Sequence, residues 1–404
     1  MRLTFALGAL AFVIPALGVP TRVPITKRAG RVKPRSYIVS FKDAAHKDAF
    51  VRGSGEGFTH SESSVTHDYD IIPAATIVVG DSKDMMLIQG APGVESIEHD
   101  GIVSLDYEAG ISGFDLEGYS QDTNTGEPQS EKRNGLGTDC LGAVIYVIDT
   151  GLNKDHQCFG GRATWGASFI NGVKGDNATD ENGHGTHTAS TAGCDVYGVA
   201  RGASIIGVKV LGGDGSGSNS DVISGINWAH NNFTGEKQPA VLSMSLGGLY
   251  LPFFSKSMTD AVNECTDAGL HTVIAAGNSN QLVVLTSPAN VKSAVTVGAV
   301  DAPNNNQKAS FSNYGKLIDI WAPGVGITAA WIGSNTATNT ISGTSMATPY
   351  VAGVLAVSLC KYGQMSPAEL TRAMKGNSTK NAVTFALQDA AAESISTHDL
   401  INIW

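Results

Sequence analysis

From Gly142 to Cys360 the chain alternates short apolar runs with longer segments of helical period, and few folds accept that pattern. Residues 143–148 (AVIYVI) are apolar throughout, as a parallel strand buried on both faces requires. Similar runs fall at 203–211, 240–246, 271–276, 294–300 and 317–321. Helical patterns accompany them at 185–194, 220–232 (with Ser220 as N-cap), 255–269, 345–360 and 366–376. The alternation predicts an α/β fold: a doubly wound, mainly parallel sheet with helices on both faces and functional groups at the carboxyl ends of strands.

A different pattern precedes this block. An alternating stretch at 36–41 (SYIVSF) and two apolar runs, 71–79 and 94–105, surround a helix candidate at 82–90. A small α+β domain fits them. A polar, Gly-rich stretch, 108–137, contains Lys132-Arg133 and reads as a linker or as a loosely structured mature N-terminus. Residues 1–18 read as a secretory signal peptide, with Arg2, a mostly apolar run over 3–17, and small residues at Ala16-Leu17-Gly18. That run is too short for an anchor, and no later segment approaches about 20 apolar residues.

The net charge of −10 argues against nucleic acid and other polyanions as partners. Five cysteines (Cys140, Cys158, Cys194, Cys265, Cys360) lack the CxxC spacing of a zinc site. In a secreted chain an odd count implies up to two disulfides and one free thiol, with the pairing unreadable. Asn177, Asn232 and Asn377 head Asn-x-Ser/Thr sequons and are glycosylation candidates.

Four local words carry chemistry. Asp149 ends the apolar run in VIDTG, where α/β proteins keep their sites. His184 is framed by glycines in NGHGTHTAS, with His187 three residues on. Two such histidines could ligate a metal, but no HExxH pattern or third ligand accompanies them, so one base beside one structural histidine is the better reading. Asn278 closes the run 271–276 in AAGN, where a side-chain amide can donate to an oxyanion. Ser345 follows two glycine/serine turns in TISGTSMATP, at the start of an apolar helix whose N-terminal dipole favours developing negative charge. Pro349 suits an early helical turn, which can do without one backbone donor. The Gly-rich run 212–217 lacks the Gly-Lys-Ser/Thr of a phosphate loop.

In this order, and with these local words, the chain resembles the subtilisin-like serine peptidases, in particular the proteinase K-like secreted branch found in fungi. The words are VIDTG at 147–151, NGHGTHTAS at 182–190, SMSLGG at 243–248, AAGN at 275–278, SFSNYG at 310–315, DIWAPG at 319–324 and SGTSMATPYVAG at 342–353, together with the long match over 198–229. The resemblance implies an Asp149–His184–Ser345 triad acting through an acyl-enzyme, with Asn278 and the Ser345 N–H as the oxyanion hole. The Asp…His…Ser chain order is subtilisin's own. The resemblance also implies that an extended substrate peptide adds as a strand between Gly215-Ser216-Gly217 and Ser245-Leu246-Gly247. Through SYIVSFK and VESIEHDGIV, residues 36–105 resemble the inhibitory propeptide of the family; an independent binding domain is the other reading. The expected organisation is a signal peptide at 1–18, a propeptide at 19–108 (ending between 106 and 133) and a peptidase domain at 109–404.

No cofactor is expected for catalysis. Asp319 matches a structural calcium ligand of the branch, with the carbonyls of Lys292 and Ala294 completing the protein's share. The expected partners are protein and peptide substrates and the chain's own propeptide, with no nucleic acid, no membrane after signal removal, and a monomeric enzyme. Spacing favours a cut near Glu108, whereas Lys132-Arg133 would suit a dibasic-cleaving convertase. The stretch 108–137 lacks the tryptophan of related mature starts, and the cysteines do not match the branch's usual pairs. A catalytically silent homologue that binds extended peptides is the alternative, against which the full triad and Asn278 argue.

Overall fold

The computed structural model describes residues 22–26, 30–57, 62–105, 140–233, 238–249 and 256–404. The signal peptide and both expected cleavage points, Glu108 and Lys132-Arg133, lie outside the described residues.

The N-terminal part supplies strands β1 (Ile25–Thr26), β2 (Val32–Phe41), β3 (Ser64–Asp68), β4 (Ala74–Val78) and β5 (Val94–Ser104), with helices α1 (Ala44–Gly57) and α2 (Ser82–Gln89). They form a sheet in the order β1-β5-β2-β4-β3. One face makes its own small core from Val39, Phe41, Ala75, Ile77, Ile88 and Ile97.

The rest of the chain builds the larger sheet. Its strands are β6 (Val144–Asp149), β7 (Ala163–Ile170), β8 (Val173–Gly175), β9 (Ser204–Lys209), then β10 (Ser216–Ser218) outside it, β11 (Ala240–Met244), β12 (Gly248–Leu249) outside it, β13 (His271–Ala275), β14 (Thr286–Ser287) outside it, β15 (Val295–Asp301), β16 (Gln307–Lys308) and β17 (Ile320–Pro323). The order is β16-β15-β13-β11-β6-β9-β7-β8, with β17 also on β15. The central pairings are parallel, and only the edge strands β8 and β16 run antiparallel. β18 (Ile327–Ala330) and β19 (Thr338–Ile341) form a hairpin.

The fully apolar run of β6 follows from two-sided burial. Ile145 and Val147 join a core with Ala189 and Ala192 of α3 (His184–Gly193) and with Val351, Ala352 and Leu355 of α6 (Thr344–Tyr362). Val144, Tyr146 and Ile148 join the opposite core with Val222, Ile223 and Ile226 of α4 (Asn219–Asn232) and with Ala261 and Val262 of α5 (Lys256–Asp267). Helices α7 (Pro367–Asn377) and α8 (Ala390–Glu393) complete the C-terminal part. Cys140 and Cys360 form a disulfide that ties the approach to β6 to the end of α6.

Two sequence expectations shift. The N-cap of α4 is Ser218, whose hydroxyl accepts from the Asp221 N–H, and Ser220 lies inside the helix. Pro349 is the sixth residue of α6, beyond the first-turn positions that need no acceptor. The carbonyl it would have bonded, that of Ser345, instead accepts from the Ser245 hydroxyl at 2.9 Å.

The N-terminal sheet docks its second face on α4 and α5. Asp100 is fully buried and takes the Ser220 N–H (3.0 Å), the Ser220 hydroxyl (2.7 Å) and the Ser36 hydroxyl (2.9 Å). Glu98 takes the Ser257 N–H at 3.2 Å in the first turn of α5. Two carboxylates of β5 therefore sit at two helix N-termini, where orphan donors and the helix dipole favour negative charge.

Candidate active site

The carboxyl end of β6 places Asp149 at the centre of the sheet, fully buried. Its Oδ1 accepts from the Thr150 N–H at 2.7 Å and from His184 Nδ1 at 2.8 Å, and its Oδ2 accepts from the Thr188 hydroxyl at 3.2 Å. His184 is the first residue of α3, and glycines let that helix start so close to the strand end. A Cβ on Gly185 would lie 2.1 Å from the Gly151 carbonyl oxygen, and Gly183, at φ 106°, faces the Trp331 ring. His187 is buried one turn further on and donates Nε2–H to the Ile327 carbonyl at 2.9 Å. Burial holds its pKa down at about 3, so it stays neutral.

A second buried carboxylate, Asp180, organises the loop before His184. It accepts from the Thr150 hydroxyl (2.8 Å), the Gly183 N–H (2.9 Å) and both the N–H and hydroxyl of Thr186 (2.9 and 2.7 Å). Burial would raise its pKa, but the Gly183 N–H and the Thr186 donors hold it below the ordinary carboxylate value. The Thr150 oxygen in turn accepts from the Gly185 N–H at 2.9 Å, fixing the helix start to the strand end. Lys209, also buried, donates to the Thr150 carbonyl at 2.5 Å and to that of Leu211 at 3.0 Å. The sequence reading assigned Asp180, Thr150 and Lys209 no role. The signal for Asp180 is slight: an acidic residue two positions before the His184 word and six before Thr186.

Ser345 is the second residue of α6, and its hydroxyl donates to the Ser245 carbonyl at 3.2 Å. Asn278 follows β13. Its Oδ1 accepts from the N–H and hydroxyl of Thr344 at 2.8 and 2.9 Å, which directs the amide Nδ2 the other way. Nδ2 and the Ser345 nitrogen lie 3.5 and 3.6 Å from the point where a Cβ on Gly343 would stand, so glycine keeps the space between the two donors clear. Ser245, Leu246, Gly247, Asn278 and Ser345 line one small cavity, and Ser104 and Leu105 from the end of β5 line it too.

Gly215, Ser216 and Gly217 stand on the other side of that β5 segment. β10 pairs antiparallel with β5, Ser216 opposite Ser104 and Gly217 opposite Val103, and the Leu105 N–H donates to the Gly215 carbonyl at 3.0 Å. The chain's own strand thus lies in the groove that leads to Ser345.

Of the expected calcium set Asp319, Lys292 and Ala294, the carboxylate stands in an ion pair in this structure. Asp319 Oδ1 is paired with the Lys375 ammonium at 2.6 Å and Oδ2 accepts from the Thr296 N–H at 2.9 Å, so the one carboxylate of the set is engaged at both oxygens. Among the described residues no group of three or more His, Cys, Asp or Glu could hold a metal ion. Asn177, Asn232 and Asn377 are all exposed.

Residues 141–392 match the model of the subtilase family. Subtilisin-like protease 2 of Pseudogymnoascus destructans is 42% identical over 344 residues, covering 82% of each chain. Alkaline protease 1 of Aspergillus oryzae is 36% identical, over 93% of this chain and 94% of its own. The crystal structure of a cold adapted subtilisin-like serine proteinase superposes with a TM-score of 0.59 at 40% identity, covering 66% of this chain and 90% of that one. The chain belongs to the subtilase family. It is a serine endopeptidase, hydrolysing peptide bonds in proteins and peptides.

Proposed function

We propose that this endopeptidase works through Asp149, His184 and Ser345, and that it is secreted as a zymogen whose residues 19–108 block its own cleft. Ser345 Oγ attacks the scissile carbonyl while His184 Nε2 takes its proton; Asp149, accepting from Nδ1–H, fixes the tautomer and stabilises the imidazolium. The oxyanion is held by Asn278 Nδ2 and the Ser345 N–H, one of the orphan donors of the α6 first turn. Collapse expels the amine with the proton from His184, and water then attacks the acyl-enzyme by the same route.

The observation that carries this reading is the pairing of β5 with β10 beside Ser345. Residues 102–105 run along the Gly215–Gly217 edge as an extended peptide substrate would, bonded through the main chain. Such pairing sets no sequence demand, which supports broad specificity, and the apolar and glycine lining suits apolar or aromatic side chains at the cleavage position. Leu105 stands three residues before Glu108, which supports self-cleavage near that point. The signal at 1–18 and the exposed sequons support export and glycosylation of a monomeric enzyme. No calcium step enters the mechanism.

The test compares wild type with Ser345→Ala in a secretory host, by intact mass, N-terminal sequence and casein hydrolysis. Wild type is expected to process itself between 106 and 133 and to cleave casein, while the variant stays full length and inert. A variant cut at Lys132-Arg133 assigns maturation to another protease, and inactivity of both supports a silent peptide-binding homologue.

A further inference from the structure

Two cysteines play no part in the chemistry above, yet the fold brings them together. Cys158 lies in the short 3-10 turn Gln157–Phe159, and Cys194 caps the end of α3, the helix that begins with His184. Cys158 is 6% exposed and Cys194 0%. Each thiol perturbs the ionisation of the other, as neighbouring groups do. The segments are also joined without the sulfurs. The Asp195 N–H donates to the Cys158 carbonyl at 2.7 Å, and the Arg162 guanidinium donates to the Gly193 carbonyl at 2.9 Å and pairs with Asp195.

Around Cys194 the backbone forms a small cradle. The Tyr197 N–H points at its sulfur from 3.3 Å, and the Gly198 N–H donates to its carbonyl at 2.9 Å. Burial opposes ionisation of Cys194, but the neighbouring Cys158 thiol and backbone donors such as the Tyr197 N–H outweigh it and hold its pKa below the ordinary thiol value. The neighbouring Cys194 sulfur, then burial, pushes the Cys158 thiol up. Cys265, buried on α5, has no such cradle, and burial takes it to about 12.

We propose that Cys158 and Cys194 form a second disulfide in the secreted enzyme, strapping the loop after the Asp149 strand to the far end of the His184 helix. Cys194, as thiolate, attacks one sulfur of a small disulfide oxidant such as oxidised glutathione. That breaks the oxidant's S–S bond and releases one glutathione thiolate, which takes up a proton. Cys158 then loses its proton and attacks the Cys194 sulfur of the mixed disulfide, forming the protein bond and expelling the second glutathione. Two protein thiols are oxidised and one small disulfide is reduced to two thiols. Both sulfurs are sealed in the folded chain, so the exchange belongs to folding, before the 3-10 turn closes over α3. The finished bond is shielded from reductant.

The test uses secreted full chain or its processed form, with a serine-directed covalent inhibitor present to stop autolysis. The protein is unfolded in guanidinium with excess iodoacetamide and no reductant, and intact mass and a non-reduced peptide map are recorded. One alkyl group, on Cys265, and a cross-linked peptide pair carrying Cys158 and Cys194 are expected. Alkylation of both Cys158 and Cys194 while Cys140–Cys360 stays linked overturns the assignment, as does a map joining either cysteine to Cys265. Cys158→Ala should raise the count from one alkyl group to two, with Cys194 newly labelled; a count still at one overturns it. Neither readout depends on peptidase activity, so the assignment can fail while the catalytic reading stands.

Discussion

The two sheets of this molecule meet the same requirement in opposite ways. The larger sheet covers both faces with its own helices, α3 and α6 on one side and α4 and α5 on the other, so its central strands β6, β11 and β13 are buried along their whole length. The N-terminal sheet covers only one face for itself. Its second face carries Ser36, Ser40, Glu98 and Asp100, all buried against α4 and α5. Buried polar groups are costly unless hydrogen-bonded, and here helix N-termini supply the donors. The same groups would be hydrated if the sheet came away. The docking is apolar as well: Ile38, Ile71, Ile72 and Val103 join the core formed with Val222, Ile226 and Ala261.

The sharpest way to break this comparison is to perturb each sheet and ask which quantity moves. Asn278→Ala, beside the larger sheet, should lower kcat by about 100- to 1,000-fold, the loss that removing one oxyanion donor causes in subtilisin itself. KM should change little. Asp100→Ala, in the N-terminal sheet, should leave kcat of the processed enzyme unchanged. Steady-state kinetics on a peptide amide decide it: a kcat within a few-fold of wild type for Asn278→Ala would remove that residue from the oxyanion hole.

Acid should act chiefly on the larger sheet. His187 and His271 are held by burial at about 3 and about 4, below the 6.5 of a free imidazole. Between pH 6.5 and those values the unfolded chain binds protons that the folded chain refuses. Stability is therefore complete above about pH 6.5 and declines as pH falls, at most about 1.4 kcal/mol per pH unit for each histidine. Asp180, whose pKa is lowered in the fold, adds to the loss as pH drops into the carboxylate range. Urea midpoints of the inhibited enzyme from pH 7 to 4.5 should fall, and His271→Gln should flatten the slope. A midpoint independent of pH would show that these imidazoles are hydrated after all.

The docking carboxylates give the third effect. Removing Asp100 strips the Ser220 N–H and hydroxyl of their partner, at a cost of about 1–2 kcal/mol, or about 5- to 30-fold. A fragment of residues 19–108 carrying Asp100→Ala should inhibit the processed enzyme that much more weakly than the unmodified fragment. Equal inhibition would mean that the β5–β10 pairing alone holds the fragment.

The contrast between the sheets also governs what could be read in advance. β6, β11 and β13 stand out as apolar runs because both their faces are buried. β7 escaped notice: Thr164 is exposed, Gly166 makes room for the Trp228 ring, and a register shift between Trp165 and Ala167 breaks the alternation. α1, with glycines near its end, showed no clear apolar stripe. Asp149, His184, Asn278 and Ser345 were legible as local words, each at a strand end or a helix start. Asp180, Asp100 and Glu98 were not, since an acidic residue reads as solvated until its distant donors are known. Lys375 on Asp319 is invisible for the same reason: α7 brings it there from 56 positions away.

The smallest effect tests a contact inside the larger sheet's own machinery. Pro349 leaves the Ser345 carbonyl without its helical donor, and the Ser245 hydroxyl supplies one while the Ser245 carbonyl receives the Ser345 hydroxyl. Ser245→Ala should leave that carbonyl unsatisfied and cost about 1 kcal/mol, with Tm lower by about 2–4 °C. In a Pro349→Ala background the backbone N–H returns, so the cost of Ser245→Ala should largely vanish. A double-mutant cycle measured by calorimetry on inhibited enzyme reads this coupling directly. Additive losses would show that Ser245 serves the groove alone, and that the helix carrying Ser345 tolerates its proline by some other means.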